Sequence, residues 1–142
     1  MKRTDGFTLM ELMVIVAVIA IVAAVSVAGY SRLVERTRLI AAANDIKGDL
    51  QLAKLTAVRR HIAVLAYFDG DGGGYDLRES GDSPFLTREL PQKVAIVTPP
   101  SPISFNTMGL SPSGGSVTVG IDGSSNNKII TVSVAGNITL AP

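Results

Sequence analysis

From Leu12 to Ser31 the chain carries 20 residues without one charged side chain, and 17 of them are apolar. A helix needs about 20 such residues to cross a bilayer. The block is longer than the apolar core of a secretory signal, about 7 to 15 residues, and no small-residue cleavage site with a polar mature start follows it. It is therefore expected to be retained. All 13 basic and 12 acidic side chains of the 142-residue chain lie outside it. The sequence thus divides into a membrane-length segment and an ordinary, slightly polar soluble domain.

What the composition lacks removes most catalytic chemistry. There is no Cys, which excludes disulfides, thiol nucleophiles, thiolate zinc sites and iron–sulfur clusters. The single histidine, His61, follows Val58, Arg59 and Arg60 in a helical stretch, a poor setting for a Ser/His/Asp triad. With no Trp, four Phe and three Tyr, material for a nucleotide-stacking platform is thin. Neither an enzyme nor a cofactor is expected.

Charge is unevenly placed along the chain. Residues 1–11 balance Lys2 and Arg3 against Asp5 and Glu11, residues 32–63 carry a net +4, and residues 64–142 a net −3. A basic stem followed by an acidic head is read first as a solvated helix face, and second as a stem that packs against acidic parts of neighbouring copies. Basic residues flank the apolar block on both sides, so the positive-inside rule does not settle orientation. The short N-terminal flank makes translocation of the large C-terminal part the simpler outcome.

Glu11 is the anomaly. It lies between Met10 and Leu12 at the head of the apolar run, where burying a carboxylate in hydrocarbon costs on the order of 3 kcal/mol if central and less near the interface. Such a residue is usually paired.

The residues Lys2, Arg3, Thr4, Asp5 and Gly6, followed by Phe7, Thr8, Leu9, Met10, Glu11 and Leu12, resemble the prepilin signal of type IV pilins and type II secretion pseudopilins. That signal is a short basic leader ending in Gly, then Phe-Thr-Leu-x-Glu opening an apolar helix. The resemblance implies that a prepilin peptidase cuts between Gly6 and Phe7 at the cytoplasmic face, and that the new amine of Phe7 is N-methylated. Glu11 would then neutralise the Phe7 ammonium of an adjacent subunit, a pair strongly favoured over either charge alone in a low dielectric. One departure from many pilins is that no Pro precedes Pro84. Ser26 and Gly29 are the weak points left to a stem that melts on assembly.

Beyond the apolar block, Leu39, Ala43, Ile46, Leu50, Ala53 and Ala57 recur at spacings of three and four, one apolar stripe of a continuing helix. From Ile62 the period changes. Ile62 to Phe68, Tyr75 to Leu77, Val94 to Val97, Ile103 to Phe105, Val117 to Ile121, Ile129 to Val134 and Ile138 to Leu140 read as strands. Loops are expected at 80–84, 99–102 and 111–116, with a tight hairpin at Ala135, Gly136 and Asn137. The expected fold is α+β and pilin-like: a long N-terminal helix, its first half transmembrane, packed on a C-terminal antiparallel sheet. The expected parts are a leader at 1–6, a transmembrane half-helix at 7–31, an amphipathic half-helix at 32–61 and a β-rich head at 62–142.

The tail narrows the resemblance. Phe105, Gly109 and Gly136, set among alternating strands, look like the GspH/FimT type of pseudopilins and minor pilins. That resemblance implies a non-catalytic subunit of the tip or initiating complex of a secretion pseudopilus or type IV pilus. Its partners would be the prepilin peptidase, other pilins or pseudopilins and the inner membrane, crossed once with the head in the periplasm. Some FimT-type proteins serve DNA uptake with basic residues near the final Gly hairpin. Residues 138–142 carry no base, so nucleic acid is not expected as a partner. An unrelated single-pass anchor displaying a binding domain is the reading from a different class. Asp69, Asp71 and Asp76 are the one candidate metal set, for calcium. They miss the EF-hand frame, with Gly73 at the fifth position and Ser80 at the twelfth, and a glycine-rich hairpin is the expected use of that segment.

Overall fold

A computed structural model describes residues 8–80 and 83–141, without the side chains of 25–29 inside the helix. Lys2, Arg3, Gly6 and Phe7, the residues of the expected leader and cleavage site, lie outside the described residues. Among the described residues one helix, α1 (Leu9–Arg60), precedes eight strands: β1 (Val64–Phe68), β2 (Gly74–Glu79), β3 (Pro84–Glu89), β4 (Val94–Thr98), β5 (Ile103–Phe105), β6 (Gly115–Ile121), β7 (Asn127–Val132) and β8 (Ile138–Ala141). Two compact units divide the chain, one through Val34 and the other from Glu35 onward.

Both ends of α1 are set by local chemistry. Thr8 caps the start: its Oγ1 accepts from the N–H of Glu11 at 3.3 Å, and its carbonyl accepts from Glu11 and Leu12. Thr-x-x-Glu is the capping-box spacing, and the Glu11 carboxylate falls in the first turn, where free N–H groups favour negative charge. At the other end His61 takes φ +55° and the N–H of Ile62 reaches back to the carbonyl of Ala57 at 3.3 Å. This is a Schellman-type stop. The solitary histidine, exposed at this position, thus serves as a helix terminator.

All six residues of the expected stripe are buried, joined by Ala42. They share one core with Val64, Ala66, Tyr75, Leu77, Ile103, Phe105, Val117, Val119, Ile130 and Val132 from the strands. Each large aliphatic side chain buried there contributes about 1.5–3 kcal/mol relative to exposure. The small residues Ala42, Ala43, Ala53 and Ala57 let the strands approach the helix closely.

The strands form two four-stranded sheets, ordered β3-β2-β1-β5 and β4-β6-β7-β8, every recorded pairing antiparallel. Alternation in sequence announces strands but not how they divide between sheets. β3 falls where a loop and unassigned chain were expected. It opens on Pro84, tolerated at the first position of an edge strand, and all its residues but Leu86 are exposed, so it carries no apolar alternation.

Candidate functional site

The N-terminal element is built for presentation. Leu9, Met10, Leu12 and Met13 are all more than half exposed around Glu11, whose own side chain is exposed. Beyond its place in the capping box, Glu11 thus stands exposed among uncovered apolar side chains. Among the described residues no helix is long and apolar enough to cross a membrane. The described side chains break off after Ala24 and resume at Tyr30. A crossing over residues 7–31 is thus an inference from the sequence, not a feature of the fold.

Within the second unit, polar clamps fix the sheets to the helix, in addition to the exposed ion pair of Arg60 on α1 with Glu79 on β2. Asp49 on α1, 7% exposed, accepts from the Tyr75 hydroxyl at 2.7 Å and from Arg88 Nε at 3.0 Å and Nη2 at 3.3 Å. One carboxylate thereby holds β2 and β3 at once. Burial first, and then the Asp49 carboxylate, push the Tyr75 phenol well above its ordinary range, and the same carboxylate raises Arg88. The second clamp is Lys54, whose Nζ donates to the carbonyl of Gly136 at 2.9 Å in the β7–β8 turn. The third is Lys93, before β4, whose Nζ donates to Glu35 Oε1 at 2.8 Å; that hydrogen bond holds the Glu35 carboxyl below its usual range.

Because the Tyr75 pKa is raised in the fold, its contribution is complete below pH 10, where the unfolded phenol titrates, and is lost as pH climbs toward the folded value. Above pH 10 the wild-type chain should lose stability more steeply than Tyr75→Phe, by up to about 1.4 kcal/mol per pH unit. At neutral pH the variant should be weaker by about 1–2 kcal/mol for the missing hydrogen bond. Urea titrations between pH 8 and 11.5 read both; parallel slopes would dismiss Tyr75 as the alkaline weak point.

The two tail glycines singled out in the sequence meet at the Lys54 clamp. Gly109 (φ +76°) and Gly136 (φ +74°) lie so close that a Cβ on Gly136 would fall 2.1 Å from the Gly109 carbonyl oxygen. A Cβ on Gly109 would press on Lys54 and Val58 of α1. Asn106 holds the Gly109 loop, its Oδ1 accepting from Met108 at 3.0 Å and Leu110 at 2.9 Å. Phe105, the third distinctive residue, is fully buried in the core.

Two of the carboxylates in the calcium candidate have partners of their own. Asp76 is engaged by Arg78, Nε and Nη2 each 2.6 Å from its oxygens, while Asp71 accepts from the N–H of Gly73 at 3.0 Å. Among the described residues no three His, Cys, Asp or Glu side chains are grouped to hold a metal ion. The glycines have another use. Gly72 (φ +75°) sits against β4, its carbonyl accepting from Ile96 N–H at 2.9 Å, and a Cβ there would lie 2.4 Å from the Ile96 carbonyl oxygen. The Gly run therefore lets the β1–β2 turn of one sheet dock on an edge strand of the other.

Sequence reasoning passed over Asp49, Tyr75, Arg88 and Lys54. Asp49 had left a signal: it sits three residues after Ile46 and four before Ala53, a carboxylate at stripe spacing.

A long N-terminal helix with a bare apolar start, its C-terminal half buried against antiparallel sheets, defines a pilin-like protein. The model of the family described as Type II transport protein GspH matches residues 42–136, and the chain belongs to that family. The prokaryotic N-terminal methylation motif matches residues 1–27. The fold is similar to that of the type IV minor pilin FimU of Pseudomonas aeruginosa, with 23% identity, 78% of this chain and 92% of that one covered, and a TM-score of 0.63. It is also similar to the minor pseudopilin EpsH from the Type 2 Secretion System of Vibrio cholerae, with 12% identity, 73% and 96% covered, and a TM-score of 0.59. No curated protein sequence matches the chain.

Proposed function

We propose that the chain is a non-catalytic minor pseudopilin or minor pilin, a structural subunit of the tip or initiating complex of a type II secretion pseudopilus or type IV pilus. It is made as an inner-membrane precursor with its head in the periplasm, residues 7–31 forming the membrane half of the stem. A prepilin peptidase removes residues 1–6 and Phe7 is N-methylated. The observation that carries this reading is the N-terminal methylation motif joined to a helix that opens, capped by Thr8, with Glu11 exposed in its first turn. Removal of the leader would leave the Phe7 amine one residue before the cap, close to the carboxylate of a neighbouring chain in register. The partners are the peptidase and other pilin-like subunits.

The reading is tested by mass spectrometry of the protein purified from its own membranes. The chain should lack residues 1–6 and carry one methyl group on Phe7. An intact Met1 would favour an ordinary single-pass anchor instead.

A further inference from the structure

Where the apolar stripe of α1 begins, a cavity of about 520 Å³ separates the helix from the β6–β7 turn. Small-molecule sites usually enclose ~300–1,000 Å³. The lining belongs wholly to the second unit. The turn is held by its own bonds: Gly123 takes φ +74°, the N–H of Ser124 donates to the carbonyl of Ile121 at 3.0 Å, and the N–H of Asn126 donates to Ser124 Oγ at 3.2 Å.

The cavity is half ionic and half apolar. Arg36 from the helix and Lys128 from the start of β7 are its charged groups, and no carboxylate lines it. Neither cation has an ion-pair partner among the described residues. Glu35, beside Arg36 in sequence, is taken by Lys93, and Asp122, the nearest acid to Lys128 along the chain, lines a different hollow beside β4. Leu39 and Ile121 line the cavity as buried apolar side chains, Ile40 and Ile129 as exposed ones.

We propose that this cavity binds one anionic phospholipid of the phosphatidylglycerol class, with Arg36 and Lys128 on its phosphate and the start of an acyl chain over Ile40 and Ile129. The inference rests on the membrane reading above, in which residues 7–31 cross the bilayer and the head is translocated. Chain length keeps lipid within reach. Arg36 follows Ser31, the last residue of the charge-free block, by five positions, and five residues extend no further than about 18 Å in any conformation. A translocated flank with Arg32, Arg36 and Arg38 also runs against the usual bias of basic residues to the cytoplasmic side. An anionic headgroup supplies Arg36 with a counter-charge there. A free phosphate or a partner's carboxylate would match the two cations but leave the apolar half of the cavity in water; a lipid matches both halves.

The test is native mass spectrometry of the full chain, purified from its own membranes in an uncharged detergent and titrated with dioleoyl phosphatidylglycerol or zwitterionic dioleoyl phosphatidylcholine. One phosphatidylglycerol per chain should be retained, about tenfold more tightly than phosphatidylcholine. Arg36→Gln and Lys128→Gln should each weaken retention by about tenfold. Both should keep the wild-type melting temperature, since neither cation is paired in the fold. Arg38→Gln removes an equal charge two residues away and outside the cavity, and should retain the lipid as the wild type does. Equal retention of the two lipids, or equal losses in Arg36→Gln and Arg38→Gln, overturns the site in favour of diffuse attraction. Displacement of the lipid by inorganic phosphate assigns the cations to a free anion, and a carbodiimide cross-link from Lys128 to a neighbouring subunit's carboxylate in native membranes assigns them to a protein; either overturns the lipid. A membrane-bound chain that retains no lipid overturns the site alone. A chain recovered from cells without detergent overturns the membrane reading and this one with it.

Discussion

Gly136→Ala is expected to destabilise the folded head by roughly 2–4 kcal/mol, combining the cost of a left-handed backbone with the overpacking of a crowded site. The added Cβ would sit 2.1 Å from the Gly109 carbonyl oxygen, and that atom belongs to backbone, which cannot swing aside as a side-chain tip could. Relief would have to push the Asn106–Leu110 loop into Lys54 and Val58 or withdraw the β7–β8 turn from the Lys54 ammonium. A shift in melting temperature on the order of 10 °C should accompany the loss. Gly123→Ala is the matched control, for it has the same φ of +74° and nothing within 4 Å of its added Cβ. That variant should lose only the backbone share, about 1–2 kcal/mol. Thermal and urea unfolding of the full chain in detergent, followed by circular dichroism, would compare the two. Equal losses would mean that the Gly109–Gly136 approach adds nothing.

The second large effect concerns assembly rather than stability. Glu11→Ala should leave processing largely intact and block incorporation into a filament or tip complex. Since Glu11 also stands at the third position of a capped helix, alanine removes a helix-start contribution of about 0.5–1 kcal/mol together with the charge. Glu11→Gln separates the two. Glutamine retains the capping-box geometry, with Thr8 Oγ1 still able to accept from the N–H at position 11, but it cannot neutralise a Phe7 ammonium. If the charge pair sets register, both variants are processed and both are missing from isolated assemblies. If capping is what matters, glutamine assembles and alanine does not. Normal incorporation of both would end the charge-pair account. Comparing the amount of mature chain in membranes with the amount in sheared or affinity-isolated assemblies gives the answer.

The parts of the fold legible in the sequence were those written in local patterns. The stripe from Leu39 to Ala57 was readable because helical period and burial are the same information in an amphipathic helix. β5 and β6 were readable from β-branched runs bounded by Pro, Ser and Gly. β3 was not, since an edge strand exposed nearly throughout needs no apolar alternation and advertises itself only through pairing with β2. The glycine run at 70–74 was legible as a turn, but its purpose was hidden. Gly72 needs to lack a side chain because of Ile96, a residue on another sheet.

The sequence alone was enough to reveal an N-terminal methylation motif and a long helix that carries its apolar stripe into a β-rich head. The motif and the stripe are written in neighbours along the chain, so they can be read without a fold. Tertiary structure decided the division into two sheets, the single carboxylate of Asp49 shared by Tyr75 and Arg88, and the contact of Gly109 with Gly136 beside Lys54. Each of these depends on backbone segments far apart in the chain approaching within bonding distance. No local periodicity encodes such an approach, because it is fixed only when helix and sheets bury their apolar faces together.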